Sequence, residues 1–164
     1  MIDKEICANV YGKFDLSTQA IVLPKNDICC LYFEFFGNSF LIELFENILK
    51  LENDNMIYLA NGYRSDTCTR HFLKMDVEKE FLKFITSEDY IFIDDKGNYS
   101  YHEFEAMGLI LTNEDFSWLI HRDPDFGTIT FAYDNKIETK IVHQLMQSKY
   151  YVGNIPKPEF YTEE

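Results

Sequence analysis

The chain has 164 residues, 46% of them hydrophobic and 16% aromatic, with 15 Phe and 11 Tyr; that fits one folded domain and excludes a disordered segment. Lys and Arg total 15 against 28 Asp and Glu, a formal charge of -13. A field of that sign disfavours phosphate backbones and anionic membranes, and the densest basic stretch, Lys136 to Lys140, is interrupted by Glu138.

In chain order, Met1-Ile2-Asp3-Lys4-Glu5 lacks the basic start and apolar run of a secretion signal. That sets a cytoplasmic expectation, with Cys7, Cys29, Cys30 and Cys68 as reduced thiols. No stretch approaches the ~20 apolar residues of a membrane helix. Ile28 to Phe36 (ICCLYFEFF) reads as a buried strand that stops at Gly37-Asn38, with Cys29 and Cys30 on opposite faces. Ser39 opens a helix in which Phe40, Leu41, Leu44, Phe45, Ile48, Leu49 and Leu51 recur at three- and four-residue spacing. Met56 to Ala60 is a short strand ended by Asn61-Gly62. Asp76 is a helix N-cap with Glu78 and Glu80 in the first turn, for a helix that buries Val77, Phe81, Leu82 and Ile85 and ends near Ser87. Tyr90 to Ile93 is a strand, and Asp94-Asp95-Lys96-Gly97-Asn98 a turn. From Tyr99, the alternation of Tyr99, Tyr101 and Phe104 favours a strand, with a helix as the alternative for the stretch to Leu111.

Phe116 to Arg122 and Thr128 to Tyr133 alternate as two strands of a hairpin, joined by the loop Asp123-Pro124-Asp125-Phe126-Gly127. Asp134 or Asn135 caps a last helix to about Tyr150, with Ile137, Ile141, Val142, Leu145 and Met146 inward. Residues 155–164 are expected to form a flexible tail. No repeat, low-complexity tract or linker divides the chain. Strands and helices mix without regular βαβ alternation, so the expected fold is a single α+β domain over 1–164. It is a mainly antiparallel sheet with about three helices packed against it.

Several chemical motifs are only apparent. His121-Arg122-Asp123-Pro124-Asp125-Phe126-Gly127 contains the HRD and DFG triplets of protein kinases, but kinases keep them in separate segments with different roles. Here they share one hairpin loop, with no glycine-rich phosphate loop. Asp94 to Phe104 echoes a calcium loop, yet Lys96 would fall at a ligand position and Tyr99 where the turn requires Gly. Cys68 and His71 stand three apart without the second pair that a structural zinc needs. No metal or cofactor is therefore expected, and no catalytic residue is assigned. The contact candidates are the acidic turns Asp94, Asp95, Asp115, Asp123 and Asp125, with Trp118 or Tyr133 as an anchor. Trp118 also alternates with Phe116 and Ile120, the pattern of a core side chain.

Small size, acidity and α+β layout make a profile that resembles the immunity proteins bacteria produce against polymorphic or contact-dependent toxins. The residues nearest to that class are Trp118-x-x-His121-Arg122-Asp123 and Gly127-Thr128-Ile129-Thr130-Phe131. The resemblance implies a binding protein whose partner is a basic toxin domain, commonly a nuclease, with no nucleic acid or membrane bound directly. An acidic surface would speed encounter with such a cleft and block substrate from it. Two other classes stay open. One is an adaptor subunit, with a broad apolar patch and self-association. The other is a small enzyme with a Cys/His site drawn from Cys68, His71 and His121.

Overall fold

The computed structural model describes residues 2–14, 22, 24, 27–34, 37–49, 55–61, 70–123 and 127–154. The elements are α1 (Ile2–Lys13), β1 (Cys29–Glu34), α2 (Ser39–Glu43, running into a π-helical turn, Leu44–Ile48), β2 (Met56–Asn61) and β3 (Leu73–Asp76). A second π turn (Val77–Phe81) leads into α3 (Leu82–Thr86), followed by β4 (Ile91–Ile93), β5 (Asn98–Ser100) and α4 (Tyr101–Met107). The chain continues through β6 (Leu109–Asn113), β7 (Trp118–Asp123), β8 (Thr128–Tyr133), α5 (Thr139–Met146) and β9 (Tyr151–Gly153). The α+β class with a mainly antiparallel sheet is as expected.

Among the described residues, the main sheet has the order β3-β2-β6-β7-β8-β1-β9, with antiparallel neighbours throughout, and β4 pairs only with β5. Both faces of the main sheet are covered. On one face Leu31, Phe33, Leu59, Leu111, Trp118, Ile120 and Phe131 meet Phe40, Leu44, Phe81, Phe84 and Leu145 from the helices. On the other, Tyr32, Ala60, Ile110, Leu119 and Ala132 meet Ile6, Cys7 and Val10 of α1 and Phe14 just beyond it. A strand buried on both sides loses the apolar–polar alternation of a half-solvated one, and Trp118 through Arg122 are all buried. Each large apolar side chain so covered contributes about 1.5–3 kcal/mol.

Among the described residues five helices rather than about three pack on the sheet, and the two additions have clear causes. In α1 and the residue that follows it, Ile6, Val10 and Phe14 are buried at four-residue spacing beside Cys7, a stripe that gains meaning only once the sheet lies beneath it. The strand expected over Tyr99 to Phe104 ends at Ser100 instead, and α4 begins at Tyr101. Helical spacing brings Tyr101 and Phe104 onto one side chain, with both rings 5.6 Å from Phe84.

The helix caps divide in the same way. Asp76 caps as expected: its side chain accepts from the Lys79 amide at 2.8 Å, and Glu80 reaches back to the Asp76 amide at 2.7 Å. The last helix is shorter than expected, with Glu138 at its N-cap. Asp134 instead takes the Lys13 ammonium and the Lys136 amide, and Met146 is 39% exposed rather than inward. Cys29 is exposed and Cys30 buried, as opposite strand faces require, and burial pushes the Cys30 thiol up to about 12. Leu51 and the tail 155–164 lie outside the described residues.

Candidate partner-binding surface

The β4–β5 hairpin stands apart from the main sheet and turns one face inward. Its register pairs Ile91 with Ser100, Phe92 with Tyr99 and Ile93 with Asn98. Phe92 is therefore buried with Tyr99 beside it against the core, while Ile91 and Ile93 look outward at 45% and 68% exposure. Asp94 builds the turn: its Oδ1 accepts from the backbone amides of Lys96 at 2.8 Å and Gly97 at 3.0 Å.

The second carboxylate oxygen of Asp94 ties the hairpin to the rest of the fold. His71 Nε2–H donates to Asp94 Oδ2 at 2.6 Å, and His71 Nδ1 lies 3.1 Å from Asp3 Oδ2 at the start of α1. The Lys96 ammonium contacts Asp3 and lies 2.9 Å from His71 Nδ1, and the Phe72 amide donates to Asp3 Oδ1 at 3.2 Å. With a neutral ring, Nδ1 accepts from Lys96; with an imidazolium, it donates to Asp3. Partial burial alone would raise the Asp94 carboxyl. Hydrogen bonds from His71 and the two amides outweigh that, and hold it below the usual aspartate value. Asp94 is thus engaged within the molecule. Asp95, one residue on, is exposed.

Asp115 belongs to a different place. It lies in the turn before β7, with its side chain 55% exposed and 3.8 Å from the Lys136 ammonium, and its Oδ1 accepts from the Ser117 amide at 3.2 Å. Phe116 adopts φ 54 in that turn, a conformation costing a non-glycine residue about 1–3 kcal/mol. The strain is held by Lys13, whose ammonium donates to the Phe116 carbonyl at 2.6 Å and pairs with Asp134. Asp3 and Lys13 mark the two ends of α1 and complement its dipole. The Asp94–Asp95 turn and the Asp115 turn therefore sit one helix length apart, roughly 15 Å at 1.5 Å per residue. The expected acidic contacts do not form one patch.

The aromatic anchors also divide. Trp118 is 1% exposed, stacked at 6.0 Å on Phe131 and packed against Phe45; it is a core side chain, and the anchor role is withdrawn. Tyr133 is half-buried beside Phe131, and burial pushes its phenol up to about 12. Asp123 ends β7 opposite Thr128, and Asp125 lies outside the described residues.

Inside the sheet face covered by the helices lies Arg122, its side chain 1% exposed. It donates from Nη1 to the Tyr101 hydroxyl and to Asn38 Oδ1 at 3.3 Å, and Glu105 stands 4.0 Å from Nη2. Burial pushes Tyr101 up to about 12 despite the guanidinium, and lowers Arg122 from its ordinary value. Asn38 also accepts from the Tyr101 hydroxyl at 2.5 Å and donates to the Ile85 carbonyl at 2.6 Å.

Of the thiol–imidazole candidates, Cys68 lies outside the described residues. His121 on β7 faces Ile110 on β6, with β2 and β3 beyond, and His71 precedes β3. Three strand spacings separate the two histidines, roughly 14 Å. Among the described residues no group of three or more His, Cys, Asp or Glu is placed to hold a metal, and the Asp3–His71–Asp94 cluster already receives the Lys96 ammonium. No helix among them is long and apolar enough to cross a membrane. Comparison with protein-family models, with curated proteins and with solved structures finds no match to this chain.

Ile91 and Ile93 were missed as surface residues. The signal was present: Asp89, Ile91, Ile93 and Asp95 alternate with the buried Phe92, so the two isoleucines share the side opposite the core. The Asp3–His71–Asp94 cluster had no such signal, because its members are 68 and 23 positions apart.

Proposed function

We propose that this chain is an immunity protein that binds a cognate bacterial toxin domain, a nuclease, and neutralises it by covering its basic active-site surface. The observation that carries this reading is the surplus of uncompensated surface carboxylate. In a chain of charge -13, Glu5, Glu46, Glu78, Glu88, Asp89 and Asp95 are all exposed. None of these six has a Lys or Arg of the described residues within the 4.0 Å of an ion pair. Such a surface attracts a phosphate-binding cleft from a distance and raises the encounter rate roughly tenfold or more at low salt.

The acids are spread around the fold, so long-range steering comes from the whole surface, and tight binding needs a local apolar contact as well. The test is calorimetry of the full chain against the toxin-like product of the neighbouring gene, with that product's activity assayed alongside. A submicromolar complex that weakens steeply with salt and abolishes the activity is expected. A neighbour that neither binds nor is inhibited would refute the reading.

A further inference from the structure

We infer that the outward face of the β4–β5 hairpin, centred on Ile91 and Ile93, is the docking site for a protein surface with an apolar centre and a Lys/Arg rim. The inference rests on the proposed function for the class of partner and adds the place of contact. Among the described residues, the large hydrophobic side chains left exposed are Ile91 at 45%, Ile93 at 68% and Met146 at 39%. Singly scattered exposed hydrophobics need no explanation. Two of these three, however, are side by side, two residues apart on one face of one strand. Their cross-strand partners, Ser100 and Asn98, are too short to cover them.

The surroundings specify what would. Glu88 and Asp89 precede the strand, Asp95 follows it, and Glu103 lies in the first turn of α4; all four are exposed. The nearest cation in sequence, Lys96, is committed to Asp3 and His71. An apolar centre with an uncompensated acidic rim is the anatomy of a binding patch. A second copy of the chain would bring the same carboxylates against themselves, and an anionic bilayer would be repelled, so charge selects a basic protein surface. The hairpin is also held firmly enough to present that face. The Asp94–His71–Asp3 contacts anchor its turn, and Phe92 fills the core beneath.

Strand propensity alone could place isoleucine here, and the choice of variant separates the two explanations. Ile91→Thr with Ile93→Thr keeps both β-branched residues and removes the apolar surface. A random dodecapeptide display library is selected against the full chain, and the peptides recovered are measured against wild type, the double variant and Glu138→Gln. The last is an exposed site on the segment leading into α5. Supporting results are peptides that combine Lys/Arg with apolar residues, bind the double variant about tenfold or more weakly, and bind Glu138→Gln as wild type. Peptides without basic bias, or binding indifferent to the double variant, overturn the inference. So does sedimentation showing a wild-type dimer that the double variant dissociates, which would make a second copy the occupant. In parallel, the neighbouring gene product is titrated. If wild type binds it and the double variant binds equally, the face is wrong and the immunity reading stands. If wild type ignores it while the peptide result holds, the immunity reading falls and the face stands.

Discussion

Two polar clusters join parts of this chain that are far apart in sequence, one inside the fold and one at its rim. Arg122, Tyr101 and Asn38 meet under the helices with the arginine side chain 1% exposed. Asp3, His71, Asp94 and Lys96 meet at the start of α1, their side chains 18–45% exposed. Both sets are joined by hydrogen bonds of similar length, so distance alone would rank them alike. The medium separates them. Inside, a lost partner leaves a charge that water cannot reach; at the rim, solvent and salt replace much of what is lost. The interior cluster therefore specifies the core, whereas the rim cluster positions the hairpin at small energetic cost.

The largest effect is expected from Tyr101→Phe. It removes the hydroxyl that accepts from Arg122 and leaves the guanidinium short of a partner, costing about 2–3 kcal/mol by urea unfolding. A cost below about 1 kcal/mol would mean that the arginine is adequately held elsewhere. Arg122→Met should cost less, about 1 kcal/mol or under, because it withdraws the buried charge along with its bonds while the Tyr101–Asn38 contact persists. If that order reversed, the arginine would be a net stabiliser and the comparison would break.

At the rim, Asp94→Asn keeps an oxygen for the turn amides but deletes the carboxylate facing His71; about 0.5–1 kcal/mol is expected at pH 7, shrinking in high salt. The sign with pH follows from the lowered carboxyl. Its contribution is complete above the ordinary value of 3.8 and is lost as pH falls through the lower folded value. Wild type and variant should therefore converge in acid, and thermal melts at pH 7, 5 and 3 that stay parallel would contradict the His71–Asp94 bond. The smallest effect belongs to Ile91→Thr with Ile93→Thr. Exposed side chains on a hairpin anchored from beneath should shift stability by no more than about 0.5 kcal/mol in the same melts. A larger loss would move the two isoleucines from the contact surface into the fold's own support.

Much of this was legible beforehand because it depends on neighbours in sequence. The strand around Cys29–Glu34, the hairpin of β7 and β8, the helix opening at Ser39 and the Asp76 cap all follow from spacing of two to four residues. What misled was the same locality. Trp118 alternates correctly for a strand, but alternation cannot say which side faces water when both sides are covered. Tyr99, Tyr101 and Phe104 suit a strand as written, and it took Phe84, seventeen positions before Tyr101, to favour a helix. The acidic turns looked equivalent on paper. In the fold Asp94 is spent on His71, Asp115 lies a helix length away, and Asp95 alone of those three is exposed beside Ile93.

Composition and short-range stereochemistry set the class of fold, the surplus of negative charge and the turn between Asp94 and Asn98, because both act without reference to distant residues. Long-range packing settled which aromatic side chains were buried, which cation sat in the core and which two isoleucines were left facing solvent. Those outcomes depend on what packs above each face of the sheet, and the covering elements α1 and α4 gain most of their stability from that packing rather than from their own residues.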